Sequence, residues 1–224
     1  MANPPKPRGV IVTGTDTEIG KTVASALVCA RYRRELPLAY WKPIASGAVE
    51  GRDVEDVAEL SGAETIEEHV LLREPLSPHL AARLEGRRID PGAVVADFER
   101  HREGGRALVI EGAGGVHVPI TDDGVMLLDL FERFGLPAVV VARSSLGTIN
   151  HTLLTLEALR ARGIEVAGVV LSGVPNAENL RAIRDFGDVD ILGELPPLDP
   201  LSRRTVEACA LGFDPEGRLR PCLA

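Results

Sequence analysis

The residues with the clearest chemical potential follow a short apolar segment, Val10 to Thr13. The next nine residues, Gly14 to Thr22, read Gly-Thr-Asp-Thr-Glu-Ile-Gly-Lys-Thr and run directly into a helical pattern. This order is typical of a phosphate-binding loop, in which backbone N–H groups hold phosphates, Lys21 reaches the β- and γ-oxygens and Thr22 holds Mg²⁺. The strict pattern has its first Gly where Thr15 stands, so the loop here is one residue longer.

Asp16 and Glu18 are unusual inside such a loop, because two carboxylates repel phosphates. In one interpretation they face a cationic substrate or a metal. In the other they cap the following helix or point to solvent, since acidic residues favour helix N-termini. The residues alone leave both interpretations open.

Lysine is scarce, with only Lys6, Lys21 and Lys42 in the chain. Lys42 lies at the end of the segment Ala39 to Pro43, so we expect it at the same sheet edge as Lys21. Two ammonium groups at one triphosphate suit phosphoryl transfer, where charge neutralisation supplies most of the catalysis. The alternative is a surface lysine at a strand end, which the scarcity of lysine disfavours.

Two later segments also end apolar runs. Glu111 closes a run from Leu108 and precedes Gly112 to Gly115, which is the usual place for a second Mg²⁺ contact beside a phosphate loop. Ser144 to His151 leads from a Val-rich run into a helical pattern, and such an entrance either holds a carboxylate by free N–H groups or is a simple capping loop.

Apolar runs alternate with helical patterns along the chain. The runs are Val10 to Thr13, Ala39 to Pro43, Ala107 to Glu111, Ala138 to Ala142, Val166 to Leu171 and Ile191 to Leu195. The helical patterns are Thr22 to Arg34, Asp53 to Leu60, Asp90 to Arg102, Met126 to Phe134, Asn150 to Arg162 and Glu178 to Asp185. The alternation predicts one α/β domain over residues 1–224, three-layered, with a mostly parallel, doubly wound sheet. Residues 64–86 show no clear pattern.

Composition excludes several classes of protein. A net charge of −8 without a basic stripe argues against a nucleic-acid partner. Three widely spaced cysteines form no CxxC pair, so neither a zinc site nor a disulfide framework is expected. Met1 to Arg8 is Pro-rich without the apolar stretch of a signal peptide, and no apolar run reaches membrane-spanning length. These features predict a cytoplasmic protein without membrane contact.

Six segments, in order, resemble the dethiobiotin synthetase family. They are Thr13 to Thr22, Lys42 to Gly47, Glu74 to His79, Glu111 to Gly115, Leu146 to His151 and Gly193 to Pro196. The first is highly specific, and its five-residue gap between glycines is the family's form of the P-loop. The resemblance spans nearly the whole chain and implies a P-loop NTPase-type fold.

The resemblance implies an ATP-dependent ligase with Mg²⁺ as cofactor. One amine of 7,8-diaminononanoate and CO₂ form a carbamate, whose oxygen attacks the γ-phosphate of ATP to give a carbamic–phosphoric anhydride. The second amine then closes the ureido ring, releasing phosphate and dethiobiotin. The family is typically a homodimer in which the partner subunit binds the carboxylate end of the substrate.

Carried over by position, the resemblance assigns four sets of residues. The catalytic residues are Lys21 and Lys42. The Mg²⁺ ligands are Thr22, Asp56 and Glu111, although Asp53 and Glu55 lie close to Asp56. The substrate-binding residues are Thr17, Lys42, Ser46, Gly147, Thr148, Ile149 and Asn150. The nucleotide-binding residues are Asp16, Thr17, Glu18, Ile19, Gly20, Lys21, Thr22, Ser172, Pro196, Pro197 and Leu198.

One position departs from the family. After the run Val166 to Leu171 the family commonly places an Asn that reads the adenine edge, and this chain has Ser172. A hydroxyl does not offer the paired donor and acceptor of an amide. The substitution predicts broadened nucleotide selectivity.

Two other classes share features with this chain. The ATP-using domain of a cobyrinate amidotransferase has related chemistry but requires a glutaminase domain, for which the chain has no room. A partitioning or switch ATPase usually carries an extra Lys near the start of its P-loop, where this chain has Thr15 and Asp16. ATPase activity without diamine and CO₂ favours that class.

Overall fold

A computed structural model describes residues 8–224. The Pro-rich start, for which the sequence predicts no signal peptide, lies outside the described residues except for Arg8. Within residues 8–224, seven parallel strands form one sheet in the order β4-β2-β6-β1-β7-β8-β9, and β3 pairs with β5 in a small parallel sheet.

The strands are β1 (Gly9–Gly14), β2 (Leu38–Trp41), β3 (Ile44–Ala45), β4 (Glu64–Ile66), β5 (Val70–Leu71), β6 (Ala107–Gly115), β7 (Ala138–Arg143), β8 (Val166–Ser172) and β9 (Ile191–Leu195). The helices are α1 (Lys21–Tyr32), α2 (Asp53–Ser61), α3 (Pro78–Leu84), α4 (Pro91–Arg102), α5 (Leu127–Phe134), α6 (Thr148–Ala161), α7 (Ala177–Gly187), α8 (Arg203–Ala210) and α9 (Arg220–Leu223).

Alternate residues of the central strands enter two separate cores, one on each face of the sheet. On β1, Ile11 packs with residues of α4 to α7, whereas Val10 and Val12 pack with residues of α1, α2 and α8. A parallel strand buried on both faces reads as a continuous apolar run, which is why the runs are so clear in the sequence. The predicted three-layer, mostly parallel α/β fold is confirmed.

Local capping chemistry explains where α4 begins. The Asp90 side chain accepts hydrogen bonds from the backbone N–H groups of Gly92 (2.8 Å) and Ala93 (3.3 Å), and Pro91 occupies the first helical position. Proline fits there because its missing N–H has no partner at that position in any helix. The helix predicted from Asp90 to Arg102 is confirmed with this cap.

Residues 64–86 are more ordered than their sequence suggests. They contain β4, β5 and α3, and β4 pairs with β2 at one edge of the main sheet, with Ala39 opposite Glu64. Strands of two or three residues are too short to show a period, so their pairing partners define them. The sequence pattern also gives no indication of α8 or α9, and β6 continues past Glu111 to Gly115.

The parallel arrangement brings the carboxyl ends of β1, β2, β6, β7, β8 and β9 to one edge of the sheet. Ligands of open α/β sheets bind at this edge. Across the described residues, no helix is long and apolar enough to cross a membrane. The single-domain organisation over residues 1–224 stays a prediction.

Candidate active site

The loop between β1 and α1 presents the positive end of a helix. Gly20 is the N-cap of α1 with φ 87°, and no side chain within residues 8–224 caps the helix by a hydrogen bond. Uncapped N–H groups at a helix N-terminus are ready to bind an anion. Lys21 begins the helix, and its Nζ donates to the carbonyl oxygen of Asp16 at 2.9 Å, across the loop.

Gly20 has two reasons to be glycine. Its φ of 87° lies in the left-handed region, which disfavours residues with a Cβ. A Cβ would also lie 2.8 Å from the Oγ of Ser172 at the end of β8. The loop therefore packs directly against the strand that ends at Ser172, and that hydroxyl lies against the loop backbone.

A second group of polar side chains lies beside the loop. Lys42 Nζ donates to Asp53 Oδ2 at 2.5 Å and to Glu111 Oε1 at 3.1 Å. The Thr22 hydroxyl donates its one proton to Asp53 Oδ1 at 2.6 Å, and Thr22 Oγ1 lies 3.3 Å from Glu111 Oε1. These four side chains, which we call the lysine–carboxylate cluster, come from α1, from α2, from the residue after β2 and from the middle of β6.

Strand register places two members of the cluster side by side. Trp41 is opposite Ile110 in the β2–β6 pair. Lys42 and Glu111 are the next residues after them, and so lie side by side. Asp53 is the first residue of α2, which packs against α1 and brings the carboxylate over Thr22. The local sequence predicts the positions of Lys42 and Glu111, whereas the position of Asp53 depends on how α2 packs against α1.

Members of the lysine–carboxylate cluster shift one another's pKa values. Burial lowers the pKa of Lys42, but the carboxylates of Glu111 and Asp53 outweigh it and leave the pKa above its usual value. Burial raises the pKa of Asp53, but the Lys42 ammonium and the hydrogen bonds from Lys42 and Thr22 bring it below its usual value. Both groups are therefore charged at neutral pH, and Lys42 is a fixed cation.

Lys21 differs from Lys42 in its surroundings. Burial lowers its pKa; the carboxylate of Glu111 opposes this effect, while the Lys42 ammonium adds to it. Within residues 8–224, its ammonium donates a hydrogen bond to the carbonyl oxygen of Asp16 and forms no ion pair with a carboxylate. An incoming phosphate would compensate this buried charge, as a phosphate-binding lysine requires.

The oxygens of the cluster suit a small, hard cation. Thr22 Oγ1, Asp53 Oδ1 and Glu111 Oε1 converge at one point, and oxygen is the ligand that Mg²⁺ prefers. Within residues 8–224, no group of three or more His, Cys, Asp or Glu side chains gathers as a metal site. A metal here would therefore use two carboxylates, the threonine hydroxyl and non-protein oxygens, which is the usual pattern for Mg²⁺ beside phosphates.

Asp56, the predicted metal ligand, lies one turn after Asp53 on α2. Asp56 lines the cavity beside the phosphate loop, but in the described part of the chain it makes no side-chain hydrogen bond to Thr22 or Glu111. Burial, and after it the charge of Asp53, raise the pKa of its carboxyl. The assignment of Asp56 stays a prediction, and Asp53 has the closer contacts.

A cavity of about 620 Å³ opens between the loop and the cluster. It is large enough for part of a nucleotide together with a small substrate. Its lining also includes part of the Glu-Pro-Leu-Ser-Pro-His segment. The predicted site residues that line it are Thr17, Glu18, Gly20, Lys21, Thr22, Lys42, Ser46, Asp56 and Glu111.

The two acids of the loop have different surroundings. Asp16 forms an ion pair with Arg143 at the end of β7 and also accepts from the backbone N–H of Thr17 at 2.8 Å. Glu18 is exposed, lines the cavity and adopts φ 52°, a left-handed conformation that is uncommon for a non-glycine residue. Asp16 is thus compensated by a cation of the protein, while Glu18 faces the space where a ligand would lie.

The remaining predicted residues lie outside this cavity. Ile19 is buried beneath the loop, and Ser172 with Pro196 to Leu198 follows β8 and β9. Gly147, with φ 92°, is the N-cap of α6, and no side chain in the described part of the chain caps that helix. Residues 147–150 do not line the cavity drawn from residues 8–224. One chain therefore does not bring this helix entrance to the lysine–carboxylate cluster.

Comparison with known proteins now identifies the family. A family profile described as an AAA domain matches residues 8–205. The chain is 50% identical over 200 residues to the ATP-dependent dethiobiotin synthetase of Paramagnetospirillum magneticum, covering 89% of this chain and 93% of that protein. It is 46% identical to the corresponding protein of Nitrobacter hamburgensis, with 91% and 93% covered.

The chain belongs to the dethiobiotin synthetase family. Among solved structures, a MinC:MinD cell division protein complex from Aquifex aeolicus aligns with a TM-score of 0.59 and 12% identity, covering 96% of this chain and 94% of that one. Identity this low indicates a shared fold and nothing further. The predicted membership of the dethiobiotin synthetase family is confirmed by the relatives of 46–50% identity.

For this dethiobiotin synthetase family member, sequence reasoning missed several residues at the site. Arg143 ends the Val-rich β7 with a charge, which was the available signal for its pairing with Asp16. The family resemblance indicates Asp56 as the metal ligand and offers Asp53 only as a nearby alternative. The hydroxyls of Ser25 and Tyr40, which both contact Glu111, gave no signal because each lies within an apolar segment.

Proposed function

We propose that this chain is an ATP-dependent dethiobiotin synthetase, an ATP-using ligase like its relatives. It would join 7,8-diaminononanoate and CO₂ at the expense of ATP. The observation that carries the proposal is the lysine–carboxylate cluster in one cavity with the start of α1, a helix N-terminus that no side chain of residues 8–224 caps. A cytoplasmic location belongs to the same proposal, because ATP is the substrate.

The triphosphate would lie over the start of α1. The first-turn N–H groups and the Lys21 ammonium would hold the β- and γ-phosphates. The buried ammonium of Lys21 carries an unfavourable desolvation in the free chain. Phosphate binding would relieve it, which makes the site selective for an anion.

Thr22, Asp53 and Glu111 are the residues that would hold Mg²⁺. We prefer Asp53 to Asp56 because Asp53 Oδ1 and Thr22 Oγ1 are already 2.6 Å apart. When bound, the ion would neutralise charge on the phosphate oxygens. Ser172, together with Pro196 to Leu198, would border the base, since these residues follow the neighbouring strands β8 and β9.

Lys42 would act by its charge. Its raised pKa makes it a poor proton acceptor at neutral pH, so it would stabilise negative charge on the carbamate and on the γ-phosphate as the carbamate oxygen attacks phosphorus and ADP leaves. The second amine then attacks the carbamoyl carbon and phosphate leaves as the ring closes. The carboxylates of Asp53 and Glu111 keep the Lys42 ammonium aimed into the cavity.

Thr17, Glu18 and Ser46 would contact the diamine end of the substrate. All three line the cavity. The exposed carboxylate of Glu18 suits a cationic amine, and the hydroxyls of Thr17 and Ser46 suit the carbamate oxygens. This role favours the interpretation in which an acid of the loop faces a cationic substrate, and it does so for Glu18 alone.

We propose a homodimer in which the partner supplies the carboxylate-binding helix entrance. Within one chain the start of α6 does not line the cavity, although its N-terminus is uncapped within residues 8–224 and suits a carboxylate. Leu146, just before it, is 98% exposed, and Leu154 on α6 is also exposed, as expected of an interface. Sedimentation of Leu146→Glu against the unsubstituted protein tests this, because a charge there should yield monomers. An unchanged monomer–dimer distribution would argue against the interface.

The direct test mixes the protein with Mg-ATP, bicarbonate and 7,8-diaminononanoate and looks for dethiobiotin by mass. We expect one ADP and one phosphate per dethiobiotin, and no turnover when the diamine is omitted. No product from protein whose circular dichroism shows an intact fold would refute the proposal. Equal ATP hydrolysis with and without diamine would favour a switch ATPase.

A further inference from the structure

Four polar side chains surround the Glu111 carboxylate, two at each oxygen. Oε1 accepts from Lys42 Nζ at 3.1 Å and lies 3.3 Å from Thr22 Oγ1, whose proton is donated to Asp53. Oε2 accepts from the Ser25 hydroxyl at 2.8 Å and from the Tyr40 hydroxyl at 3.0 Å. Because a carboxylate oxygen has about two acceptor sites, the two hydroxyls saturate Oε2.

The polar side chains at the two oxygens differ in what they can reach. Lys42 and Thr22 line the cavity and can turn to a ligand. Ser25 and Tyr40 are fully buried, at 0% exposure, and lie outside the cavity lining. A ligand in the cavity can therefore compete for the donors of Oε1, while the donors of Oε2 remain in place.

The position of both hydroxyls follows from regular structure. Tyr40 is opposite Val109 in the β2–β6 pair, and Glu111 is two residues after Val109, so their side chains lie on the same face of the sheet. Ser25 is three residues after Thr22 on α1, which places both side chains on the helix face turned toward that strand. Sheet and helix thus deliver one hydroxyl each to the same oxygen.

We propose that Tyr40 and Ser25 are positioning residues for the metal site. Their hydroxyls fix Oε2 of Glu111, so that Oε1 faces the cavity as a single oriented ligand for Mg²⁺. This inference rests on the proposed function, which places Mg²⁺ on Thr22, Asp53 and Glu111. Groups that hydrogen-bond to a ligating carboxylate commonly change metal affinity by roughly 10- to 100-fold when they are removed.

The test uses Mn²⁺ as the probe, in titrations of the whole protein with saturating ADP followed by electron paramagnetic resonance. Tyr40→Phe removes one oxygen and keeps the ring, and we expect Mn²⁺ to bind about tenfold more weakly. ADP affinity in EDTA should be unchanged, because neither hydroxyl contacts the phosphate loop. Ser25→Ala, assayed in the same way, decides the question if Tyr40→Phe does not fold.

Tyr32→Phe is the matched control. Tyr32 is as buried as Tyr40, and its hydroxyl also donates to a buried carboxylate, that of Asp214. It lies outside the cavity lining. A general loosening of the core would therefore lower the melting temperature of both tyrosine variants, whereas the positioning role predicts that Mn²⁺ affinity changes for Tyr40→Phe alone.

Two results would overturn the inference while leaving the proposed function intact. One is a Tyr40→Phe variant that binds Mn²⁺ as tightly as the unsubstituted protein. The other is an equal loss of affinity in Tyr40→Phe and Tyr32→Phe. If the unsubstituted protein itself binds no Mn²⁺ with ADP, the proposed metal site fails, and the role of Tyr40 and Ser25 fails with it.

Discussion

Replacing each active-site lysine by methionine should separate two roles that look alike in the sequence. The sequence alone predicts that removing Lys21 or Lys42 abolishes catalysis with little loss of stability. The structure changes that expectation for Lys42, because its ammonium lies between two carboxylates, whereas Lys21 contacts a carbonyl oxygen. Lys42→Met leaves Asp53 and Glu111 facing each other without their cation.

The cost can be estimated from burial. Breaking a buried ion pair by removing one partner costs roughly 3–5 kcal/mol, because the other charge is left uncompensated. The Glu111 side chain is fully buried, but that of Asp53 is 25% exposed, which favours the lower end, about 3 kcal/mol. At this chain length 1 kcal/mol shifts the melting temperature by roughly 2–4 °C, so we expect a decrease of about 6–12 °C.

The loss should also depend on pH. In Lys42→Met one carboxyl acquires a folded-state pKa above its unfolded value, so the folded state binds more protons and stability falls as pH rises. In the unsubstituted protein the folded pKa of Asp53 is depressed, so its contribution is present above about pH 4 and is lost only as pH falls through the folded value. The deficit of the variant should therefore be largest near pH 8 and shrink toward pH 5.

Thermal melts by circular dichroism, in EDTA from pH 5 to 8, measure these effects without metal. Lys21→Met is the control: the pKa of Lys21 is lowered by burial, so its removal should change the unfolding free energy by less than about 1 kcal/mol. Both variants should lose turnover. Equal melting temperatures for the two variants, or a Lys42→Met deficit that does not change with pH, would refute this account of the cluster.

Three further predictions concern the metal, the loop and the base. Asp53→Asn should weaken Mn²⁺ binding by at least about tenfold in calorimetric titrations with ADP, while Asp56→Asn should stay within about threefold; the reverse order would restore Asp56 as the ligand. Arg143→Ala should lower ADP affinity about tenfold, because it leaves Asp16 uncompensated near the phosphates. The free energy of unfolding should fall by less than about 1 kcal/mol. Adding Asp16→Asn should restore ADP binding, and a double variant that still binds ADP weakly would contradict this explanation. Turnover with ATP, CTP and GTP should agree within about tenfold, and Ser172→Asn should favour ATP; a strong ATP preference in the unsubstituted protein would contradict broadened selectivity.

Much of the fold was predictable because it is encoded locally. The apolar runs of β1, β6 and β7 are continuous, since these central strands are buried on both faces. By contrast, β4 has three residues, and its role as an edge strand depends on pairing with β2. No local pattern distinguishes such a segment from a loop.

The candidate site divides in the same way. Residues 14–22 specify the phosphate loop among themselves, because glycine conformation and the helix start are local properties. Asp53 and Asp56 lie three residues apart on one helix, and only the docking of α2 against α1 determines which carboxylate meets Thr22. The pairing of Asp16 with Arg143 spans 127 residues, and the sequence shows a charge at the end of the Val-rich run without identifying its partner.

The sequence by itself determined the class of chemistry, since two lysines after strand ends and an acid before a glycine run allow few alternatives. Tertiary structure decided how those groups share charge. Lys42 is placed between Asp53 and Glu111, and Glu111 accepts hydrogen bonds from the buried hydroxyls of Ser25 and Tyr40. The physical reason is that residue type and strand order reside in the chain, whereas hydrogen-bond distances and desolvation depend on which elements pack together.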